Sequence, residues 1–184
     1  MNRVLLGCTA ASLLLAACAT PPPAPDSGAG RPAQPPALGW LSRIKVPDGN
    51  DPALKLAARG VQIFRCERVG DAYEWRFRQP EAELFDAEGQ SVGRHGANFS
   101  FEHRDGSRLL GTVVAHDRAA AADALPWLLL SAKSFGKGSL GGVSYIQRVN
   151  TRGGMPPPSC DPGQASRLLR VDFSADFVFY RLRG

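Results

Sequence analysis

Few of the residues that usually carry chemistry are present. The 184 residues include three histidines and four cysteines. No Cys-x-x-Cys, His-x-His or His-Glu-x-x-His spacing occurs, so a redox dithiol or a local metal motif has no basis in sequence. A Gly-x-Ser-x-Gly elbow is also missing, and neither Ser139 nor Ser144 has a base near it in sequence. No basic run interleaved with aromatics is found, which argues against nucleic acid as a partner. No apolar run reaches the roughly 20 residues that a membrane-spanning helix needs. There is no internal repeat, and no cofactor is expected.

What is present begins at the N-terminus. Arg3 is followed by Val4 to Ala17, apolar or small and without charge, which has the build of a secretory h-region. The run ends in Leu15-Ala16-Ala17-Cys18, which looks like a bacterial lipobox. In that pattern the cysteine thiol takes a diacylglyceryl group, the chain is cut before it, and the new amino end is acylated, palmitate being the expected chain. Residues 1–17 therefore read as a lipoprotein signal and Cys18 as the lipidation site. Each buried methylene contributes about 0.8 kcal/mol and a single chain holds only marginally, so a durable membrane anchor takes two or three. Ala19, where Asp would retain the protein in the inner membrane of enteric-type cells, favours the outer membrane, facing the periplasm.

Residues 18–37 hold seven of the fifteen prolines, among Ala, Gly and Ser. This composition buries too little apolar surface to order itself, and proline keeps it extended. It reads as a disordered tether. Residues 38–184 suit one domain with a real core. The net charge of +5 is mild and suits a surface near anionic lipid or polysaccharide. Once Cys8 leaves with the signal and Cys18 takes lipid, Cys66 and Cys160 remain, in a compartment that oxidises thiols. One disulfide is the parsimonious reading, and a catalytic thiol is its rival.

Period-2 alternation dominates the domain. Tyr73, Trp75 and Phe77 alternate with charged residues, as do Val171, Phe173, Ala175, Phe177 and Phe179 with mostly polar ones. Val61 to Val69, Ala82 to Asp86, Ser91 to His95 and Val143 to Val149 read as further strands. Phe99 to Arg104 and Ser107 to Val114 flank Asp105-Gly106, a strong hairpin signal. Only Arg118 to Lys133 has helical character. There a short helical turn over Ala119 to Ala124 is expected, then a strand from Trp127. The fold class is all-β: an antiparallel sandwich or barrel-like domain with one short helical segment.

Several of these stretches carry a resemblance. They are Gly60-Val61-Gln62-Ile63-Phe64-Arg65-Cys66, Trp75-Arg76-Phe77 with Pro80-Glu81-Ala82, Asp105-Gly106-Ser107, Leu125-Pro126-Trp127-Leu128-Leu129-Leu130, Ile146 to Gly154, and Ala175 to Tyr180. Together they resemble the bacterial and fungal family called domain of unknown function 3455. Its Gln-Arg-Val-Asn-Thr-x-Gly-Gly run is distinctive, and Phe101 stands where many members carry Trp. The resemblance implies secretion and a compact β-rich domain. It brings no established activity and no catalytic residues.

The remaining candidates are local. With Asp105-Gly106 as a strict two-residue loop, His95 faces His116 and His103 shares their side, which is the geometry a shared metal ion needs. Ordinary hydrogen-bonded or solvated histidines are the favoured reading, so no metal is expected. Arg148, Asn150 and Arg152 lie at a strand end, where arginines take carboxylate or phosphate bidentately. A purely structural turn is the favoured alternative there. Gly136 to Gly142 is glycine-rich without Walker spacing. The paired acids Glu81 and Glu83, or Asp172 and Asp176, read as solvated strand charges. The expected function is a non-enzymatic, membrane-anchored β domain that binds a glycan or small ligand or supports the envelope. The rival is a metal-assisted secreted enzyme using the histidines. Oligomeric state is not legible.

The anchor is directly testable. Cys18→Ser should abolish incorporation of labelled palmitate and leave the chain uncleaved or soluble. Unchanged labelling and membrane fractionation would refute the lipobox reading.

Overall fold

The computed structural model describes residues 33–184. The signal residues, Cys18 and the tether up to residue 32 lie outside the described residues. Eight strands follow in order: β1 (Asn50–Val69), β2 (Ala72–Phe85), β3 (Ser91–Gly96), β4 (Ser100–His103), β5 (Arg108–Asp117), β6 (Trp127–Phe135), β7 (Val143–Gly153) and β8 (Leu168–Leu182). Each pairs antiparallel with the next, and β8 returns to pair with β1, so the sheet is a closed barrel. Closure removes the free edges that an open sheet would leave. Among the described residues no helix is long and apolar enough to cross a membrane.

Alternation decides which side chains enter the barrel. Leu56 and Ala58 of β1, Ala82 and Leu84 of β2, Phe101 of β4, Leu109 of β5, Leu128 and Leu130 of β6, Ile146 of β7, and Phe173, Ala175, Phe177 and Phe179 of β8 pack into one core. Phe101 meets Phe177 and Phe179 edge to face, with centroids 4.9 and 5.5 Å apart, a geometry that adds to area burial. An eight-stranded barrel has room to be filled by side chains or to hold one small ligand. Here the core fills only part of it.

Two glycines let the strands coil tightly. A Cβ on Gly60 would lie 2.1 Å from the Glu81 carbonyl oxygen, and one on Gly93 would lie 2.2 Å from that of Glu102. Outside the barrel, residues 38–46 form a strap. Its Leu38, Ile44 and Val46 cover Leu129, Val149, Trp127 and Tyr145 on the outward faces of β6 and β7. Under it, Tyr180 Oη donates to Gln147 Oε1, 2.5 Å away, and Gln147 Nε2 donates to the Ile44 carbonyl at 2.6 Å.

Three expectations change. The helical turn at Ala119 to Ala124 is a hydrogen-bonded turn leading into a bridge between Ala124 and Gly154. The helical content of the described residues is confined to single 3-10 turns at Ala97–Phe99 and Pro162–Gln164. Alanine is the best helix former, but a run this short does not nucleate a helix by itself, and the backbone pairs with a neighbouring loop instead. The hairpin after β4 has three loop residues, not two: Gly106 N–H donates to the His103 carbonyl, and His103 N–H to that of Ser107. Gly106 takes φ 85°, the left-handed residue of a type I turn with a bulge. Phe101 therefore pairs with Leu109, one place away from the two-residue register, and every later side chain changes face. β1 also begins at Asn50 rather than Val61, because the weak strand formers Pro52 and Gly60 are carried by pairing with β8, with Ala53 at a bulge between Pro52 and Leu54.

The glycine constraint gives a stability test. Gly60→Ala should destabilise the domain by about 1–3 kcal/mol, the usual cost of overpacking. Gly39→Ala, with no atom within 4 Å of the added Cβ, should be near neutral. Denaturant melts of the two variants check this, and equal stability would contradict the close approach.

Candidate functional site

Strand length positions the site. β1 pairs with β8 only as far as Arg65, but with β2 as far as Val69. The β1–β2 ribbon thus overhangs one end of the barrel. Just before this overhang a bulge between Ile63 and Phe64 sets Phe64 opposite Phe77, and on the overhang Cys66 lies opposite Trp75. The chain from Met155 to Arg167 returns beneath the ribbon. It is held by the Cys66–Cys160 disulfide, whose Cα atoms are 6.0 Å apart. Cys160 N–H also donates to the Tyr73 carbonyl, and Ser166 N–H to that of Cys66. Closing a loop over 94 residues of sequence contributes about 4–5 kcal/mol in the chain-entropy account.

Between the ribbon, the returning loop and the apolar core lies a cavity of about 730 Å³, within the usual size of small-molecule sites. Phe64, Trp75, Phe77 and Phe99 are its aromatic wall, and Met155 and Pro156 stand on its rim. Phe64 and Phe77 meet edge to face at 5.7 Å. Three buried polar residues, Gln62, His95 and Arg148, line its inner end together with the buried Phe64, Pro80 and Leu125.

Each inner residue is fixed differently. His95 stacks on Phe101 with centroids 4.3 Å apart. Its Nδ1 lies 3.0 Å from the Ser100 carbonyl, so Nδ1 carries the proton and Nε2 is left as an acceptor. Burial lowers its pKa from 6.5 to about 4, and the charge of Arg148 acts in the same direction. The imidazole is neutral at pH 7. Arg148 donates from Nε and Nη2 to one carbonyl, that of Pro126, at 3.2 and 2.9 Å. Burial lowers its pKa to about 10, which leaves it a cation. Among the described residues it has no carboxylate partner. Among the described residues Gln62 Nε2, like Arg181 Nε elsewhere, is buried without a hydrogen-bond partner, a costly state for an amide donor.

The histidines do not converge. A 3-10 turn at Ala97–Phe99 separates His95 from the β4–β5 hairpin, and His95 pairs with Phe101. His116 is exposed and pairs with Leu128 on β6. His103 Nδ1 lies 3.1 Å from Asp105 Oδ2 in the hairpin turn. Among the described residues no group of three potential ligands gathers around one point. The opposition of His95 and His116, the disfavoured reading, which a strict two-residue loop in one unbroken ribbon would give, does not form.

Arg148, Asn150 and Arg152 do not act together either. A bulge between Val149 and Arg152 puts Asn150 in the left-handed region at φ 52°. Arg148 lies inside, while Asn150 and Arg152 are exposed. Asn150 Nδ2 donates to Asp176 Oδ2 at 2.8 Å, and Thr151 Oγ1 to the Leu125 carbonyl at 2.6 Å. Gly153 and Gly154 take positive φ, so most of this segment shapes the backbone. The glycine-rich loop is likewise structural. Asp105 accepts from Ser107 Oγ at 2.5 Å and from Ser139 N–H at 2.7 Å, and these bonds hold its carboxyl well below the usual range. A carboxylate thus takes an N–H that a phosphate would need. Of the paired acids, Glu81 bonds Arg170 at 2.6 Å and Asp176 bonds Lys55 at 2.9 Å.

Sequence reasoning missed Gln62 and the aromatic wall as a site. The available signal was a polar residue on the inward face of an alternating strand: Gln62 shares the face of Ala58 and Phe64, as Arg148 shares that of Ile146. The family model described as a protein of unknown function, DUF3455, matches residues 47–181. That span includes every residue lining the cavity. No curated protein and no solved structure matches the chain.

The buried imidazole gives a pH prediction. The unfolded chain protonates His95 near pH 6.5, while the folded one resists until about pH 4. Its effect on stability is therefore nil above pH 6.5 and grows as pH falls toward 4, reaching about 3 kcal/mol of lost stability. His95→Phe should remove this component. Denaturant melts at pH 7 and pH 4.5 should show a smaller loss in the variant than in the parent; equal losses would refute a buried neutral His95.

Proposed function

The chain belongs to the DUF3455 family, and from that premise we propose that its barrel is a binding domain, holding one small, partly apolar molecule in the cavity at its mouth. The observation that carries the reading is the aromatic-walled cavity of about 730 Å³ with an orphaned amide at its inner end. A folding core has no use for an unpartnered buried donor, and a ligand acceptor would relieve it. The disulfide supports the reading, since it pins the loop that carries Met155 and Pro156 on the cavity rim.

With the N-terminal signal and Cys18, the proposal extends to an envelope lipoprotein. Its lipid anchors the tether to the outer membrane and leaves the barrel in the periplasm to capture its ligand near the bilayer. The strap at residues 38–46 joins that tether to the barrel wall opposite the core. A binding role needs no catalytic group, and nothing in the placement of the three histidines favours the metal-assisted enzyme.

Trp75 is half-buried in the cavity wall and serves as a reporter. A set of phenylalkyl acids and amides, titrated at millimolar concentration, should include members that change tryptophan emission saturably at one site per chain. Phe77→Ala removes an exposed wall residue and should weaken that binding about tenfold, the scale of one aromatic contact. Trp75→Phe should silence the signal. Absence of saturable binding across the whole set, or binding indifferent to Phe77→Ala, would overturn the reading.

A further inference from the structure

Charge is distributed unevenly around the cavity. Among the described residues three arginines line it, Arg76, Arg78 and Arg148, and no carboxylate does. The two outer arginines are already paired: Arg76 Nη1 lies 3.4 Å from Glu74 Oε2, and Arg78 bonds Glu67. Arg148 is the most deeply buried of the three and has no anion among the described residues. Its bonds to the Pro126 carbonyl fix the plane of the guanidinium without neutralising it. Those bonds use two of the five N–H donors that an arginine carries.

A buried guanidinium without a counter-charge is an expensive arrangement. The neighbours do not relieve it. His95 is a neutral ring whose one proton is spent on the Ser100 carbonyl. Gln62 brings a second unused donor, Nε2, to the same inner end. Unspent donors and one net positive charge therefore sit among the buried lining residues, beside the buried Phe64, while the rings of Trp75, Phe77 and Phe99 are partly or largely exposed. Such a surface complements a molecule with a single anionic head and an apolar body.

We propose that the ligand is an apolar or aromatic carboxylic acid in its ionised form. Its carboxylate is taken at the inner end by the planar guanidinium of Arg148 and by Gln62 Nε2, and its body lies along Phe64, Trp75, Phe77 and Phe99. This rests on the cavity being a ligand site, as proposed above. The guanidinium fork matches a carboxylate geometrically, which an ammonium does not. The pair of donors also gives selectivity, because a site built from buried donors loses most with a ligand that cannot satisfy them.

The test is isothermal titration of the mature lipidated protein in nanodiscs of zwitterionic lipid, with empty nanodiscs as the blank. The probes are 4-phenylbutyrate and 4-phenylbutanamide, which share one body and differ in charge. The acid should bind at least about tenfold more tightly than the amide. Arg148→Met should bring that ratio near one, and Arg148→Lys should restore part of it. Gln62→Leu replaces the orphaned amide with an apolar group of similar size, so it should fold normally and weaken the acid about fivefold or more. Circular dichroism checks the fold of each variant.

Equal binding of acid and amide by the unmodified protein would overturn the charge assignment and leave the cavity reading standing. Binding of neither would overturn both. A preference that survives in folded Arg148→Met would move the anion to the outer arginines and refute the role of Arg148. If that variant fails to fold, the parent's acid-to-amide ratio and Gln62→Leu decide between the outcomes.

Discussion

Pairing between β1 and β8 closes the sheet, and the extent of that pairing determines the rest. The two strands are registered from Asn50 with Leu182 to Arg65 with Leu168. β1 then continues for four residues, paired among the described residues with β2 alone. This stagger belongs to any barrel whose strands tilt against the axis. Here it leaves an overhanging ribbon, and the ribbon carries the aromatic residues that make a mouth instead of a sealed end. Cys66 is the first residue of β1 beyond the β8 register. Its backbone bonds pass to Ser166 and Arg167, and its sulfur passes to Cys160. The disulfide therefore stands where the ladder gives out and continues closure by covalent means.

The fold was largely legible because alternation is strong wherever one face of a strand meets the core. β2, β7 and β8 were visible from their aromatic and β-branched residues. Less visible was anything set by partners distant in sequence. The first half of β1 contains proline, alanine and glycine and is a strand because β8 lies beside it. The β4–β5 hairpin was found, but its third loop residue depends on the positive φ of Gly106, and a single added residue reverses which face each later side chain takes. His95 and His116 part company at the 3-10 turn Ala97–Phe99, which puts His95 on β3 and not on the β4–β5 hairpin.

The site was legible only in fragments. His95 and Arg148 both stand out in the sequence, His95 as a disfavoured metal candidate and Arg148 beside Asn150 and Arg152 as a disfavoured anion site. Neither grouping survives, because bulges and turns reassign faces within a few residues. What joins His95 to Arg148 is the barrel interior, to which β3 and β7 contribute from opposite parts of the chain. Gln62 drew no notice in sequence, since a lone glutamine among apolar residues is ordinary until its amide is found without a partner. The inner end of the cavity thus collects the polar residues that an alternating pattern would otherwise forbid.

The strap at residues 38–46 has a mechanical consequence. Any pull on the N-terminus reaches the barrel through this segment before it reaches β1. The strap is held by Ile44 in its apolar seat, by the Gln147 bond to the Ile44 carbonyl, and by Ser42 and Arg43 on Asp117. These contacts engage β5, β6 and β7, the last of which pairs directly with β8, and none of them is on β1. Tension is delivered to the wall of the barrel, and the strap must peel away before the closing ladder carries load. A domain hung from a surface by this end has a sacrificial link in series with its seam, and the mouth keeps its shape while that link gives.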